Sequence, residues 1–238
     1  MNLDEERFRI FLEAAWPRPA DIAEEIRREA VRDRVPVIRR STEDILRVML
    51  AAVKPEAILE VGTAVGFSSV FMCLHSDAHI VTVENYKKRI PEALRNFERA
   101  GITERVRLIE GDAAEVLPTL EKPFDLVFLD AAKGQYIRLL PDLIRLTAPG
   151  GILIADNILL DGEVTDSRYA GERRNRTIHR RMREFVEAVL KHPELETAIL
   201  QAGDGLSVSV RKTEGLISGS SGFEKEKKWA SEKENRSC

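Results

Sequence analysis

Cysteine is almost missing from this chain of 238 residues: only Cys73 and Cys238 occur. Neither a disulfide framework nor a cysteine-based zinc site is therefore expected. Cys73 falls in an apolar helical stretch and reads as core, and Cys238 is the last residue. No run reaches the roughly 18 apolar residues of a spanning helix, and the first residues lack the h-region of a signal peptide. The expectation is a cytoplasmic protein with no membrane partner. Net charge is only −3, so any nucleic acid would have to be met by a local patch. There is no internal repeat, and the Gly-x-Gly-x-x-Gly fingerprint of dinucleotide folds is missing. What is present is ordinary for a globular protein, with 43% hydrophobic and 32% charged residues, and the length suits one domain with a full core.

Leu3, Phe8, Phe11, Leu12 and Ala15 form a helical stripe that Pro17 and Pro19 end. Asp21 can cap a second helix carrying Ile22, Ile26 and Ala30 inward. Val35 to Ile38 is extended, because Pro36 biases its predecessor away from helix. Ser41 to Asp44 resembles a capping box opening a third helix. These helices, 1–54, precede the first strand and suit a cap or a homodimer contact. From Ala57 the pattern alternates β and α. Strands are predicted at 57–61, 79–83, 106–110, 124–129 and 151–155, and helices at 67–75, 87–100, 113–120, 136–146 and about 173–191. This implies an α/β fold with a parallel sheet, right-handed crossovers and helices on both faces. Thr197–Gln201 and Leu206–Arg211 flank Gly203-Asp-Gly205, a hairpin signal that ends the sheet with antiparallel strands. One domain is expected over 1–212, with 55–212 as its core. The remaining 213–238 reads as a disordered tail, with five basic and five acidic residues and little to bury.

The stretch Ile58 to Ser69 holds a strand, a Gly62-x-x-x-Gly66 turn and a helix start. That arrangement suits a nucleotide-like ligand lying across strand ends. Glu60 would repel a phosphate and attract a cation or a ligand's amino group. S-adenosylmethionine (SAM) carries an ammonium, a sulfonium and no phosphate. Acidic groups then close every parallel strand: Glu60, Glu84, Asp112, Asp130 and Asp156. Glu84 lies 18 residues past Gly66, near the spacing at which a carboxylate accepts ribose hydroxyls. Asp112 is placed to accept from an adenine amino group, and the Ala113 amide to donate to a ring nitrogen. Some such acids serve only as helix caps, Asp112 and Asp156 being the candidates.

Asp130, Asp156 and Asn157 supply two carboxylates and one amide oxygen, hard ligands suited to Mg2+ or another hard divalent cation rather than zinc. Lys133 lies three residues past Asp130. An ammonium beside such an ion gives up a proton more readily, which suits a general base.

Asp-x-x-Lys, then Asp-Asn after the next strand, together with Glu60-Val-Gly-Thr-Ala-Val-Gly66, resembles the metal-dependent O-methyltransferases of the catechol and caffeoyl-CoA family. The resemblance covers about 35–211. It implies a class I SAM methyltransferase fold, Rossmann-like, with SAM as donor. It implies Mg2+ at Asp130, Asp156 and Asn157, with Lys133 as base and Asp130 beside it in catalysis. The implied SAM pocket is Ile38, Glu60, Gly62, Ser68, Glu84, Asp112, Ala113 and Asp130.

A narrower likeness rests on Asp130 to Tyr136, Asp156 to Gly162, and His192-Pro193 through Leu206. It points to the bacterial branch that methylates 5-hydroxyuridine at the tRNA wobble position. Seven arginines fall within sixteen residues, Arg168, Arg173, Arg174, Arg176, Arg180, Arg181 and Arg183, with Arg39 and Arg40 as an extension. Such a cluster suits phosphate contacts with a tRNA anticodon stem-loop, and a solvated helix face is its plain alternative. The rival functions are a small-molecule catechol or caffeoyl-CoA-like O-methyltransferase, a regulatory nucleotide-binding module, and an NAD-dependent dehydrogenase. The intact Asp130, Lys133, Asp156 and Asn157 argue against the second, and the glycine spacing against the third.

Overall fold

A computed structural model describes residues 7, 10, 11, 14, 15, 21–159 and 176–213. Of the first predicted helix, the five described positions are helical and exposed, Phe11 at 63%; Leu3, Phe8 and Leu12 lie outside the described residues, as does the tail beyond Thr213. Strand order is β3 (Val106–Glu110), β2 (His79–Glu84), β1 (Ala57–Val61), β4 (Phe124–Leu129), β5 (Thr147–Asp156), β7 (Leu206–Arg211) and β6 (Leu195–Leu200), a seven-stranded sheet, mostly parallel, with an antiparallel hairpin at its end. The chain divides into two compact units, Met1–Val116 and Leu117–Cys238. Among the described residues no helix is long and apolar enough to cross a membrane.

In the first unit, α1 (Ile22–Arg32) starts where the Asp21 side chain accepts the Glu24 amide at 2.9 Å. Its Ala23, Ile26 and Ala30 face inward. The second helix, α2 (Arg40–Val53), departs from the expected capping box: Arg39 is its N-cap and no side chain caps it. Glu43 is buried and ion-paired with Arg27, and Asp44, the carboxylate a local cap would use, pairs with Arg47 at 3.3 Å. Lys54 in the left-handed region ends α2. Three parallel strands follow, β1 (Ala57–Val61), β2 (His79–Glu84) and β3 (Val106–Glu110), in the order β3-β2-β1. Helices α3 (Phe67–Leu74), α4 (Ile90–Arg99) and the short α5 (Ala113–Val116) connect or follow them. All of α3 except its last residue is buried.

In the second unit, β4 (Phe124–Leu129) pairs in parallel with β5 (Thr147–Asp156). Leu126 to Leu129 are 0% exposed, the two-sided burial that an all-apolar parallel strand requires. Burying each such side chain contributes about 1.5–3 kcal/mol. Helix α6 (Tyr136–Leu146) joins these two strands, and α7 (Arg176–Lys191) precedes the hairpin of β6 (Leu195–Leu200) and β7 (Leu206–Arg211). Strand β5 begins four residues earlier than predicted, because Thr147 already pairs with Phe124 through a register shift.

The hairpin turn fixes the end of β5. Ile158 donates to the Gly205 carbonyl at 3.0 Å and Leu159 to Asp204 at 2.8 Å. Gly205 has φ +85°, and a Cβ there would stand 2.3 Å from the Leu159 side chain. Only glycine permits that approach.

Candidate active site

Within the first unit the turn between β1 and α3 is wound tightly. Gly62, Ala64 and Gly66 all have positive φ, at 106°, 47° and 80°. For alanine that is an uncommon, strained conformation. Two neighbours hold it. Glu84 accepts the Ala64 amide on Oε2 at 2.7 Å and the Tyr86 amide on Oε1 at 2.7 Å. The buried Asn96 amide donates to the Val65 carbonyl at 2.8 Å. A Cβ on Gly66 would meet the Phe97 ring at 2.6 Å, so the turn leans directly on α4. Glu84 thus supports the loop at the expected ribose position, and each of its oxygens keeps a second lone pair for a ligand.

Glu60 is 0% exposed, and its Oε2 accepts from the Ser69 and Thr82 hydroxyls. Strand alternation turns it into the layer between β2 and α3, where those hydroxyls answer its charge. Thr63 joins the group through a 2.6 Å bond to Thr82. Ser68 and Ala113 are nearly buried at 8% exposure, and Gly62 donates to the Val83 carbonyl at 3.0 Å. Asp112 accepts the Ala114 amide at 2.9 Å, so the capping role is present. Ile38 is buried, and its carbonyl accepts from Arg27 at 2.7 Å. Arg27 also lies over the Phe67 ring, 4.4 Å from its centre. The Arg27–Glu43 pair therefore ties the 35–39 segment to the first residue of α3.

In the second unit the register pairs Leu129 with Ala155. The next residue on each strand is Asp130 and Asp156, so both carboxylates leave the carboxyl ends of adjacent strands, which lie about 4.8 Å apart. Asp130 is 26% exposed at its side chain and Lys133 19%. Lys133 Nζ donates to Asp130 Oδ1 at 2.8 Å, to the Tyr136 hydroxyl at 2.8 Å and to the Asp156 carbonyl at 3.3 Å. The Asn157 amide reaches Asp130 Oδ1 at 3.3 Å, and the Asn157 backbone N–H donates to Asp156 Oδ1 at 2.8 Å. Asn157 sits at φ +58°, a strained position of the kind that clusters at working sites.

These residues fit a hard divalent cation. Their donors are carboxylate and amide oxygens, and half a turn of the Asn157 amide brings Oδ1 to the point where Nδ2 meets Asp130. Among the described residues no cluster of three or more His, Cys, Asp or Glu side chains forms a metal site, so the donor set stays two carboxylates and one amide.

Tyr136 is the residue that sequence reading did not single out. It is 0% exposed and stacks edge-on against Phe185 at 5.3 Å. Its hydroxyl accepts from Lys133 and has the Asp156 and Leu129 carbonyls as acceptors at 3.0 and 3.3 Å. Burial, then the Asp130 and Asp156 charges, push its ionisation well above the usual phenol range. It stays a neutral phenol whose proton faces a carbonyl, which leaves its lone pair for Lys133. The spacing Lys133–Tyr136 was the available signal.

The arginine cluster comes together only in part. Arg168, Arg173 and Arg174 lie outside the described residues, and Arg176 opens α7 without a described side chain. Arg180 pairs with Glu184 at 3.8 Å, and Arg181 donates to the Gly134 carbonyl at 3.1 Å. Arg39 and Arg40 belong to the first unit. Arg40 is tied to Glu24 at 2.7 Å and Glu43 at 3.2 Å.

The O-methyltransferase family profile matches residues 17–212. The chain belongs to the O-methyltransferase family. A catechol O-methyltransferase of Niastella koreensis is 35% identical over 127 residues, 51% of this chain and 58% of that protein. A catechol O-methyltransferase of Mycobacterium tuberculosis is 31% identical over 163 residues, 66% and 70% of the two chains. The S-adenosylhomocysteine-bound structure of the Podospora anserina methyltransferase PaMTH1 superimposes with a TM-score of 0.78 at 26% identity, over 90% of this chain and 98% of that one. The sheet of this O-methyltransferase family member is accordingly the class I methyltransferase sheet.

Proposed function

We propose that the protein transfers the methyl group of SAM to a hydroxyl oxygen of a small catechol-like acceptor. The carrying observation is the Lys133 ammonium held against Asp130, with Asp156 and Asn157 closing the neighbouring strand, in a chain of the O-methyltransferase family. The donor reading is supported by the wound loop at Gly62–Gly66, the Glu84 carboxylate beneath it and Asp112 at the next strand end. A hard divalent cation, Mg2+ in the simplest case, held by Asp130, Asp156 and Asn157, would supply Lewis acidity that makes the acceptor hydroxyl more acidic.

The protein's own residues do the rest. Lys133 Nζ is the base that takes the hydroxyl proton. The acceptor oxygen bonds to the methyl carbon as the carbon–sulfur bond breaks, giving a methyl ether and S-adenosylhomocysteine. Tyr136 and the Asp156 carbonyl hold Nζ in place for that transfer, and fixed geometry of this kind can supply several kcal/mol of the barrier.

Methylation of 5-hydroxyuridine in tRNA is a second reading, favoured by the exposed Arg180 and Arg181 on α7. The small-molecule reading is preferred because the two named relatives are catechol enzymes. Product analysis decides between them. Incubation with SAM should methylate catechol and leave tRNA bearing 5-hydroxyuridine unchanged. Conversion of the tRNA with no methylated catechol would reverse the conclusion.

A further inference from the structure

A cavity of about 500 Å3 opens one residue past Lys133, lined by Gly134, Gln135, Ile137, Arg138 and Arg181. Its two cations are unlike their neighbours. In the same unit Arg145, Arg180 and Arg211 are each ion-paired, with Asp142, Glu184 and Glu194. Arg138 and Arg181 have no carboxylate partner among the described residues, and both are exposed. Arg181 is nevertheless oriented, because Nη1 donates to the Gly134 carbonyl at 3.1 Å. One donor spent on that carbonyl leaves the rest of the guanidinium fork for a planar anion. Gly134 also lines the cavity, and a Cβ there would lie in van der Waals contact with Arg181 Nη1 at 3.5 Å. Ile137 supplies an apolar side. The volume is that of a small-molecule site.

We propose that Arg138 and Arg181 form an anion subsite beside Lys133, which selects aromatic acceptors carrying a carboxylate or phosphate group. The inference rests on the small-molecule reading above and adds the acceptor's charge to it. Two uncompensated cations facing one concavity raise the local concentration of an anionic ligand. A guanidinium oriented from behind meets a carboxylate with less ordering cost than a free one.

The test compares catechol, 3,4-dihydroxybenzoate and dihydroxyphenyl phosphate as acceptors for the wild type, Arg138→Gln/Arg181→Gln, and Arg181→Lys. In the wild type the anionic acceptors should have the lower KM, and the relative preference of the two anions tells carboxylate from phosphate. In the double variant the ratio of KM for the anion to KM for catechol should rise about tenfold, the loss of one charged hydrogen bond, and Arg181→Lys should restore part of it. A ratio that stays fixed overturns the proposal. If no catechol is methylated at all, the function proposed above fails, and equilibrium binding still decides the subsite. Tighter binding of dihydroxybenzoate than catechol, lost in the double variant, supports it; equal binding overturns it. Weakened binding of an anticodon stem-loop with the anion preference intact assigns the arginines to nucleic acid and also overturns it.

Discussion

Tyr136→Phe removes one oxygen from the centre of the second unit and keeps the ring against Phe185. Two interactions go with it: the charged bond from Lys133 at 2.8 Å and the phenol's bond to a strand-end carbonyl, Asp156 at 3.0 Å or Leu129 at 3.3 Å. A hydrogen bond to a charged group is worth about 1.5–3 kcal/mol and a neutral one about 1 kcal/mol. Lys133 keeps Asp130 and the Asp156 carbonyl as acceptors, so the loss is expected at about 2–4 kcal/mol. For a chain of this size that lowers the melting temperature by about 4–16 °C. The kinetic effect should be separate from the stability effect. Measured well below the melting point, kcat should fall about tenfold or more, because Nζ is no longer held in one position, while SAM affinity stays unchanged. Calorimetric melting, isothermal SAM titration and initial rates check these three quantities. A variant with wild-type melting and wild-type kcat would refute the role given to Tyr136.

Three further outcomes follow from the same geometry. Gly66→Ala should cost about 2–4 kcal/mol in urea unfolding, because φ +80° disfavours alanine and the new Cβ meets Phe97 at 2.6 Å; an unchanged midpoint would contradict the packing described. Glu84→Gln should raise the SAM dissociation constant about tenfold, since the glutamine oxygen can serve only one of the Ala64 and Tyr86 amides and its NH2 group accepts neither; an unaltered constant in calorimetry would remove Glu84 from the donor site. Burial pushes the Cys73 thiol from 9.0 up to about 11. The folded chain keeps a proton there that the unfolded chain loses, so stability present below pH 9 is lost between about pH 9 and 11, by about 2–3 kcal/mol. Cys73→Ala should flatten that part of the stability curve, and an identical curve would contradict it.

Much of this was written in residue order. Apolar runs that stop at an acid placed β1 to β5 and put Asp130, Asp156 and Asn157 at adjacent strand ends, because strand length and register leave them nowhere else. The hairpin around Gly203-Asp-Gly205 was legible because only glycine tolerates its backbone and the nearness of Leu159. Side-chain partners were harder to read, most of them lying far apart in sequence. The Ser69 and Thr82 hydroxyls that bond Glu60 Oε2 come from another helix and strand. The apparent capping box at Ser41–Asp44 gives way because the N-cap falls at Arg39 and Asp44 pairs with Arg47. The pairing of Arg40 with Glu24 joins two different helices. Tyr136 reads as one more aromatic of α6, since nothing local shows that its hydroxyl ends beside Lys133.

The central claim is that Asp130, Asp156 and Asn157 hold a hard cation that readies an acceptor oxygen beside Lys133. It is tested most directly by titrating Mg2+ into metal-stripped wild type and Asp156→Ala while following methyl transfer to catechol, with SAM binding measured in parallel. Activity should return saturably in the wild type and not at all in the variant at any Mg2+ concentration, with SAM binding retained by both. Full activity of the stripped wild type, or an unchanged Mg2+ response in Asp156→Ala, would contradict it.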